Sequence, residues 1–141
     1  MNMDMIGPAI VLALGCIGSA IGCGIAGMAS HGAMTRVEEG HGKFIAFSAA
    51  PSTQSIMGFV LMVLMKDAIK AGTVSALSGI GIGLFVGLAL TISATYQGRC
   101  AATAIQATAK QPAVFGKAFL AIGIVESFAI FAFIFGRILL S

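Results

Sequence analysis

AFLAIGIVESFAIFAFIFG, residues 118–136, is the stretch on which the reading of this chain turns. It carries one formal charge, Glu126. A helix of this length, rising 1.5 Å per residue, covers roughly the 30 Å of a bilayer's hydrocarbon core. Glu126 then falls near the midplane. A bare carboxylate there costs from a few kcal/mol to more than ~10 kcal/mol. It persists only if a proton, a partner or a bound cation cancels its charge. The bland alternative is a neutral Glu that hydrogen-bonds another helix. An acid inside a membrane segment is functional by default, so the ion-handling reading is preferred.

Three further stretches are equally free of charge: Met5 to Thr35, Phe44 to Met65 and Ala71 to Gly98. None shows the strict alternation of a barrel strand, and backbone groups in lipid must pair within their own segment. The expectation is an all-α integral membrane protein with four transmembrane helices, at about 5–30, 44–66, 73–98 or longer, and 118–137. A soluble four-helix bundle fits poorly, because no helix has a charged face. Composition agrees. The 141 residues are 58% hydrophobic and only 9% charged, where soluble domains average about 25% charged. That excludes a soluble enzyme, a disordered chain and a zinc or disulfide scaffold. A net charge of +3, scattered along the chain, is too small for nucleic-acid binding.

The stretch MNMDMIG at residues 1–7 holds an acid and no Lys or Arg. That is wrong for a cleaved leader, so the first helix is expected to remain in the mature protein. Residues 31–43 and 99–117 carry Arg36, Lys43, Arg99, Lys110 and Lys117, against Lys66, Lys70 and Arg137 on the other side. The positive-inside bias puts these two loops in the cytoplasm and both termini outside. Cys16, Cys23 and Cys100 have no C-x-x-C spacing and read as small packing residues, with no disulfide or metal role.

The two halves resemble each other. At an offset of 74, Gly24 falls on Gly98, Arg36 on Lys110 and Lys43 on Lys117; further on, an offset of 72 pairs Ser55 with Ser127 and Phe59 with Phe131. The chain therefore divides into a first hairpin, 1–70, and a second, 71–141, which carries the carboxylate. The first and third spans are glycine-rich and contain G-x-x-x-G at Gly18/Gly22 and Gly83/Gly87. Such residues let helix backbones approach closely. Eight of the ten phenylalanines fall in the second and fourth spans. Crowded glycine helices and roomier phenylalanine helices fit two concentric layers. A compact four-helix monomer with a glycine zipper is the plain alternative.

The polar partner of Glu126 is sought in Pro51-Ser52-Thr53-Gln54-Ser55 of the second span. Gln54 sits at a similar depth, and the duplication sets Gln54 or Ser52 opposite Glu126. Pro51 has no N–H, which takes the usual helical donor from the Phe47 carbonyl. Glu126, Gln54, Thr53, Gln97 and a freed carbonyl form an all-oxygen set suited to a hard cation such as Na⁺. Thr53 and Ser55 taken singly read better as interhelical glue. Gln97 reaches this depth only if the third helix continues past Arg99 to about Ala109. The uncharged CAATAIQATA at 100–109, rich in helix formers, allows that.

PSTQS in the second span, YQGRCAATAIQATAKQP at 96–112 and GIVES at 123–127, on a duplicated hairpin with glycine-rich first and third helices, resemble the proteolipid ring subunit (K, or c) of V-type rotary ATPases, in the bacterial and archaeal-like branch. The resemblance covers almost the whole chain. It implies a two-layer homo-oligomeric ring with the first and third helices inside. It implies Na⁺ or H⁺ moving through two half-channels of a static neighbouring subunit, and loops 31–43 and 99–117 facing central-stalk subunits. The ion ligands that it implies are Glu126, Thr53, Gln54, Gln97 and the Ala50 backbone carbonyl, which differs from the Phe47 carbonyl of the proline argument. Sodium-carrying members place a Tyr where this chain has Met57, which keeps H⁺ open. No cofactor beyond the transported ion is implied. The chain has no G-x-x-x-x-G-K-[S/T], so it binds no nucleotide by that means; the resemblance implies a rotor component that is no enzyme by itself. The short chain favours a bacterial cytoplasmic membrane.

Two other readings compete. A small dimeric cation-coupled transporter of multidrug type needs a substrate cavity with aromatic or charged partners. The sequence offers no Trp and one Tyr, Tyr96, beside Gln97. A structural proteolipid without ion coupling leaves Glu126 unexplained.

Overall fold

A computed structural model describes residues 3–141. Residues 1–2, part of the stretch used to argue against a leader, lie outside the described residues. Among the described residues there are helices and no strands. They are α1 (Ile6–Met34), α2 (His41–Ala49), α3 (Thr53–Ala71), α4 (Ala76–Lys110) and α5 (Phe115–Ile138). A 3₁₀ turn at Ala50–Ser52 joins α2 to α3, so the apolar spans are four: Met3–Met34, His41–Ala71, Ala76–Lys110 and Pro112–Ile138. The protein is a multi-pass membrane protein.

Local chemistry sets the boundaries. α2 begins after Gly40 and α3 ends at Gly72, both left-handed at φ 80° and 76°, a conformation cheap only without a Cβ. Gly72 and Thr73 return their N–H groups to the carbonyls of Ile69 and Ala68, which closes the end of α3. Ser75 caps α4, its hydroxyl accepting the N–H of Ser78. Pro51 cannot donate within a helix, and the chain answers with the 3₁₀ turn.

Glycine decides the packing. α1 and α4 run parallel and in close contact. A Cβ on Gly7 would strike the backbone of Gly79, one on Gly18 would strike Thr91, one on Gly22 would strike the Ala94 carbonyl, and one on Gly98 would strike Gly22. Thr91 Oγ1 reinforces the pair, donating to the Leu14 carbonyl at 2.7 Å. The two G-x-x-x-G motifs do not face each other. Gly18 and Gly22 meet Thr91 and Ala94, while Gly83 receives the carbonyl of Gly7 and Gly87 the side chain of Leu14. α3 lies antiparallel on α1, with Gly58 against Val11 and Gly15 against Gln54, and the Ser55 N–H donates to Ser19 Oγ at 3.0 Å. α5 lies antiparallel on α4 and is the least buried of the spanning helices; only Ile122, Ala129 and Gly136 are fully covered.

The third helix reaches Lys110, the longer of the two extents expected for it, and most of 99–117 is helix and not loop. Its face is buried through Ala101, Ala104 and Ile105 against Phe44 and Phe47 of α2, which stabilises it beyond Arg99. Phe44 and Phe47 are therefore core residues; Phe47 packs on Phe115 and Phe119 at centroid distances of 5.1 and 5.5 Å. Phe85, in the glycine-rich α4, is 73% exposed. The glycine stripe occupies only one face of α4, and Phe85 lies off it. Cys16 is exposed within this chain, and Cys23 and Cys100 are partly buried.

Candidate functional site

The 3₁₀ turn at Pro51 makes the site. It compresses the backbone so that Ala50 N–H reaches the Phe47 carbonyl and Thr53 N–H reaches the Ala50 carbonyl. The Phe47 carbonyl is thus not freed, contrary to the proline argument, because tightening to i+3 bonds supplies it with another donor. The Thr53 hydroxyl lies 3.3 Å from the Ala50 carbonyl oxygen and 3.2 Å from Gln54 Oε1. It has one proton for two acceptors. Three oxygens of different chemistry therefore sit together with a single hydroxyl hydrogen among them, which is oxygen-rich ground for a cation.

Gln54 and Gln97 are completely buried. Gln54 Nε2 donates to Gln97 Oε1 at 2.9 Å, across 43 positions of sequence. Gln97 lies well inside α4, as the extended helix requires. The cost of leaving a buried amide donor unmade is about 1–3 kcal/mol. Gln97 Nε2 is such a donor, buried with no partner. A chain of contacts thus links Ala50, Thr53, Gln54 and Gln97 and ends on an unsatisfied N–H. This fits a group that accepts a hydrogen bond when the site is filled, a carboxylate above all.

Glu126 stands on the buried edge of α5. Ile122 and Ala129, its neighbours one turn away on either side, are 1% and 0% exposed. Its own side chain is half-buried. Among the described residues it makes no hydrogen bond and no ion pair, and no basic side chain locks it. The amide cluster and the carboxylate are therefore not bonded to each other in this structure. What ties their helices is Ser93, one turn before Gln97 on the same face of α4. Its hydroxyl donates to the carbonyl of Val125, next to Glu126, at 3.1 Å.

Sequence reasoning missed Ser93, as it missed Ser19 and Thr91. The available signal was a set of small hydroxyl residues inside otherwise apolar spans. Such residues bond backbone on their own or a neighbouring helix, and sequence does not say which. Met57 borders the site and packs against the Val11–Leu61–Leu90 cluster. Tyr96 is 57% exposed and carries the Arg99 guanidinium over its ring at 5.1 Å. Groups of His, Cys, Asp or Glu able to hold a metal are absent among the described residues.

The architecture is that of a membrane protein built from two helical hairpins, with buried amides on two helices and a half-buried carboxylate on a third. The family model for the C subunit of ATP synthase matches it twice, at residues 6–65 and 80–139. The chain belongs to that family. The two matches begin and end 74 residues apart, and at that spacing Ser52 is the counterpart of Glu126. The chain is 40% identical over 123 residues to the A-type ATP synthase subunit K of Methanocaldococcus jannaschii, covering 85% of this chain and 56% of that protein. It is 30% identical over 125 residues to the V-type sodium ATPase subunit K of Enterococcus hirae, covering 87% of this chain and 80% of that one. The chain thus spans little more than half the length of the archaeal relative.

Proposed function

We propose that this chain is the ion-carrying rotor-ring subunit of a V-type ATPase or ATP synthase. Copies assemble into a two-layer ring. Each copy binds Na⁺ reversibly at Glu126, the amide oxygens of Gln54 and Gln97, the Thr53 hydroxyl and the Ala50 carbonyl. The first hairpin, 1–70, supplies three of these groups and the second, 71–141, supplies Gln97 and the carboxylate. The observation that carries the reading is the pairing of a carboxylate bonded to nothing with a buried oxygen cluster that ends on an unsatisfied donor. The Enterococcus relative, named as a sodium ATPase subunit, supports Na⁺ as the ion.

The cycle follows from the cost of charge in hydrocarbon. A neutralised Glu126 can face lipid, and a bare Glu126⁻ cannot. Rotation past the bilayer is therefore conditional on a bound ion, and a static channel subunit is needed where loading and release occur. A potential of 100 mV contributes about 2.3 kcal/mol per unit charge that crosses. One carboxylate per four helices moves fewer ions per turn than one per two. The cation-rich ends, with Arg36, Lys43, Lys110 and Lys117, face the cytoplasm and the central stalk, and the termini face outside. The membrane is a bacterial cytoplasmic one. Nucleotide chemistry belongs to other subunits.

The test is carbodiimide labelling of Glu126 in membranes carrying the chain. Labelling is expected at Glu126 and is slowed by added Na⁺, most strongly at high pH. Labelling that ignores Na⁺ assigns the site to H⁺. An unlabelled Glu126 overturns the ion-carrier reading.

A further inference from the structure

We propose that Ser93 is the positioning residue of the ion site, resting on the reading of Glu126 above. Three observations converge on it. First, the stretch of α5 around the carboxylate has little side-chain packing of its own: none of residues 123–128 is buried. The fully covered positions of α5 are Ile122, Ala129 and Gly136, and its ring contacts, Phe115 and Phe119 on Phe47, lie two to three turns before Glu126. Second, Ser93 Oγ donates to the Val125 carbonyl at 3.1 Å, while a second tie to this end of the chain lies far off, from Thr73 Oγ1 to the Leu140 carbonyl at 3.4 Å. Third, Ser93 is 6% exposed and sits one helical turn from Gln97 on α4. One hydroxyl thus fixes the carboxylate-bearing helix to the amide-bearing helix within one residue of the carboxylate and one turn of the amide.

The consequence is geometric. A cation held by oxygens from α3, α4 and α5 binds well only if α5 keeps its depth. The Val125 carbonyl, inside α5, has its helical donor whether Ser93 is present or not, so the Ser93 bond adds register and not backbone satisfaction. Alanine at 93 keeps the fold and lets α5 drift. The oxygens of Thr53, Gln54 and Gln97 stay bonded among themselves, and the carboxylate alone moves. Ser93 also lines a cavity of about 440 Å³ between α4 and α5, with Ile92, Tyr96, Val125 and Phe128. Packing on that side therefore does not take over its role.

The experiment compares Ser93→Ala and Ser93→Thr with the unmodified chain in the same membranes. The Na⁺ concentration that half-protects Glu126 from carbodiimide is read alongside the labelling rate without Na⁺ and the mass of the detergent-extracted assembly. A lost hydrogen bond of ordinary strength corresponds to roughly a three- to tenfold change. Ser93→Ala is expected to raise the half-protecting concentration by that factor and to leave the assembly mass unchanged. Ser93→Thr, which keeps the hydroxyl, is expected to return it to within about twofold of the unmodified chain. Equal half-protection in all three overturns the role of Ser93 and leaves the reading of Glu126 standing. An equal weakening by Ala and Thr also overturns it, since the hydroxyl is then irrelevant. If Ser93→Ala fails to assemble, Ser93→Cys, a weaker donor of similar size, takes its place with the same expectation. An unmodified chain that Na⁺ does not protect overturns sodium binding itself. The comparison then reads ion transport by the complex, where a loss with Ala that Thr does not rescue overturns the proposal.

Discussion

An amide side chain brings a donor and an acceptor together, and at Gln97 the two have different fates. Its oxygen takes the Gln54 N–H, and its nitrogen is buried with nothing to donate to. Gln97→Leu removes that unsatisfied donor but strands Gln54 Nε2. The expected net is a loss of about 1–3 kcal/mol of stability, measured as a lower unfolding midpoint of the extracted protein, together with weaker protection of Glu126 by Na⁺. Glu126→Gln is the complementary change. It keeps the shape, removes the charge and is expected to abolish transport while the assembly runs at the same mass; normal transport by this variant would take Glu126 out of the mechanism. Single residues were unevenly legible. Glu126 stood out because an isolated acid in an apolar run has no cheap explanation. Gln54 and Gln97 stood out as amides in apolar spans. The Phe47 carbonyl was misjudged because the 3₁₀ turn, a cooperative response of three residues to Pro51, is not written at any one of them.

At the scale of elements, the glycine pattern separates sites that tolerate a side chain from sites that do not. Gly22 has the Ala94 carbonyl and the Pro51 ring where its Cβ would be. Gly22→Leu is therefore expected to destabilise by about 1–3 kcal/mol or more and to cost assembly, seen as loss of the extracted complex. It also displaces Pro51, and with it the turn that presents Ala50 and Thr53. Gly116, near the start of α5, has open space around it. Gly116→Ala is expected to be neutral or mildly stabilising through helix propensity, within about 1 kcal/mol. Existence and number of the helices were written in charge-free runs. Their ends were not. α4 runs on to Lys110 because one face of 101–108 is buried against α1 and α2, which is tertiary packing acting on a sequence that is merely permissive. Phe44 and Phe47 are drawn inward by the far end of α4 for the same reason.

The whole molecule leaves large apolar faces uncovered. Leu77, Leu120, Phe85 and Phe128 are each at least 67% exposed. In lipid these cost nothing. The detergent-extracted protein is expected to run as a large, stable homo-oligomer. A dimer would favour the transporter reading and would leave α1 and α4 without the close-packed inner layer that the ring implies.

The sequence by itself determined that the chain is membrane-embedded, that it is built from two similar halves, and that a single acid, Glu126, falls inside an apolar run. The first and the last follow from solvation, since water-free surroundings forbid stray charge and leave few places for a polar atom to be accidental; the second follows from residues that recur at a fixed offset. Only the tertiary structure decided which oxygens meet, which carbonyl Pro51 leaves at the site, and which serine ties the carboxylate's helix to the amides. Those outcomes depend on how deep one helix slides against another, and that depth is set by close contacts between glycines and backbone far apart in the chain.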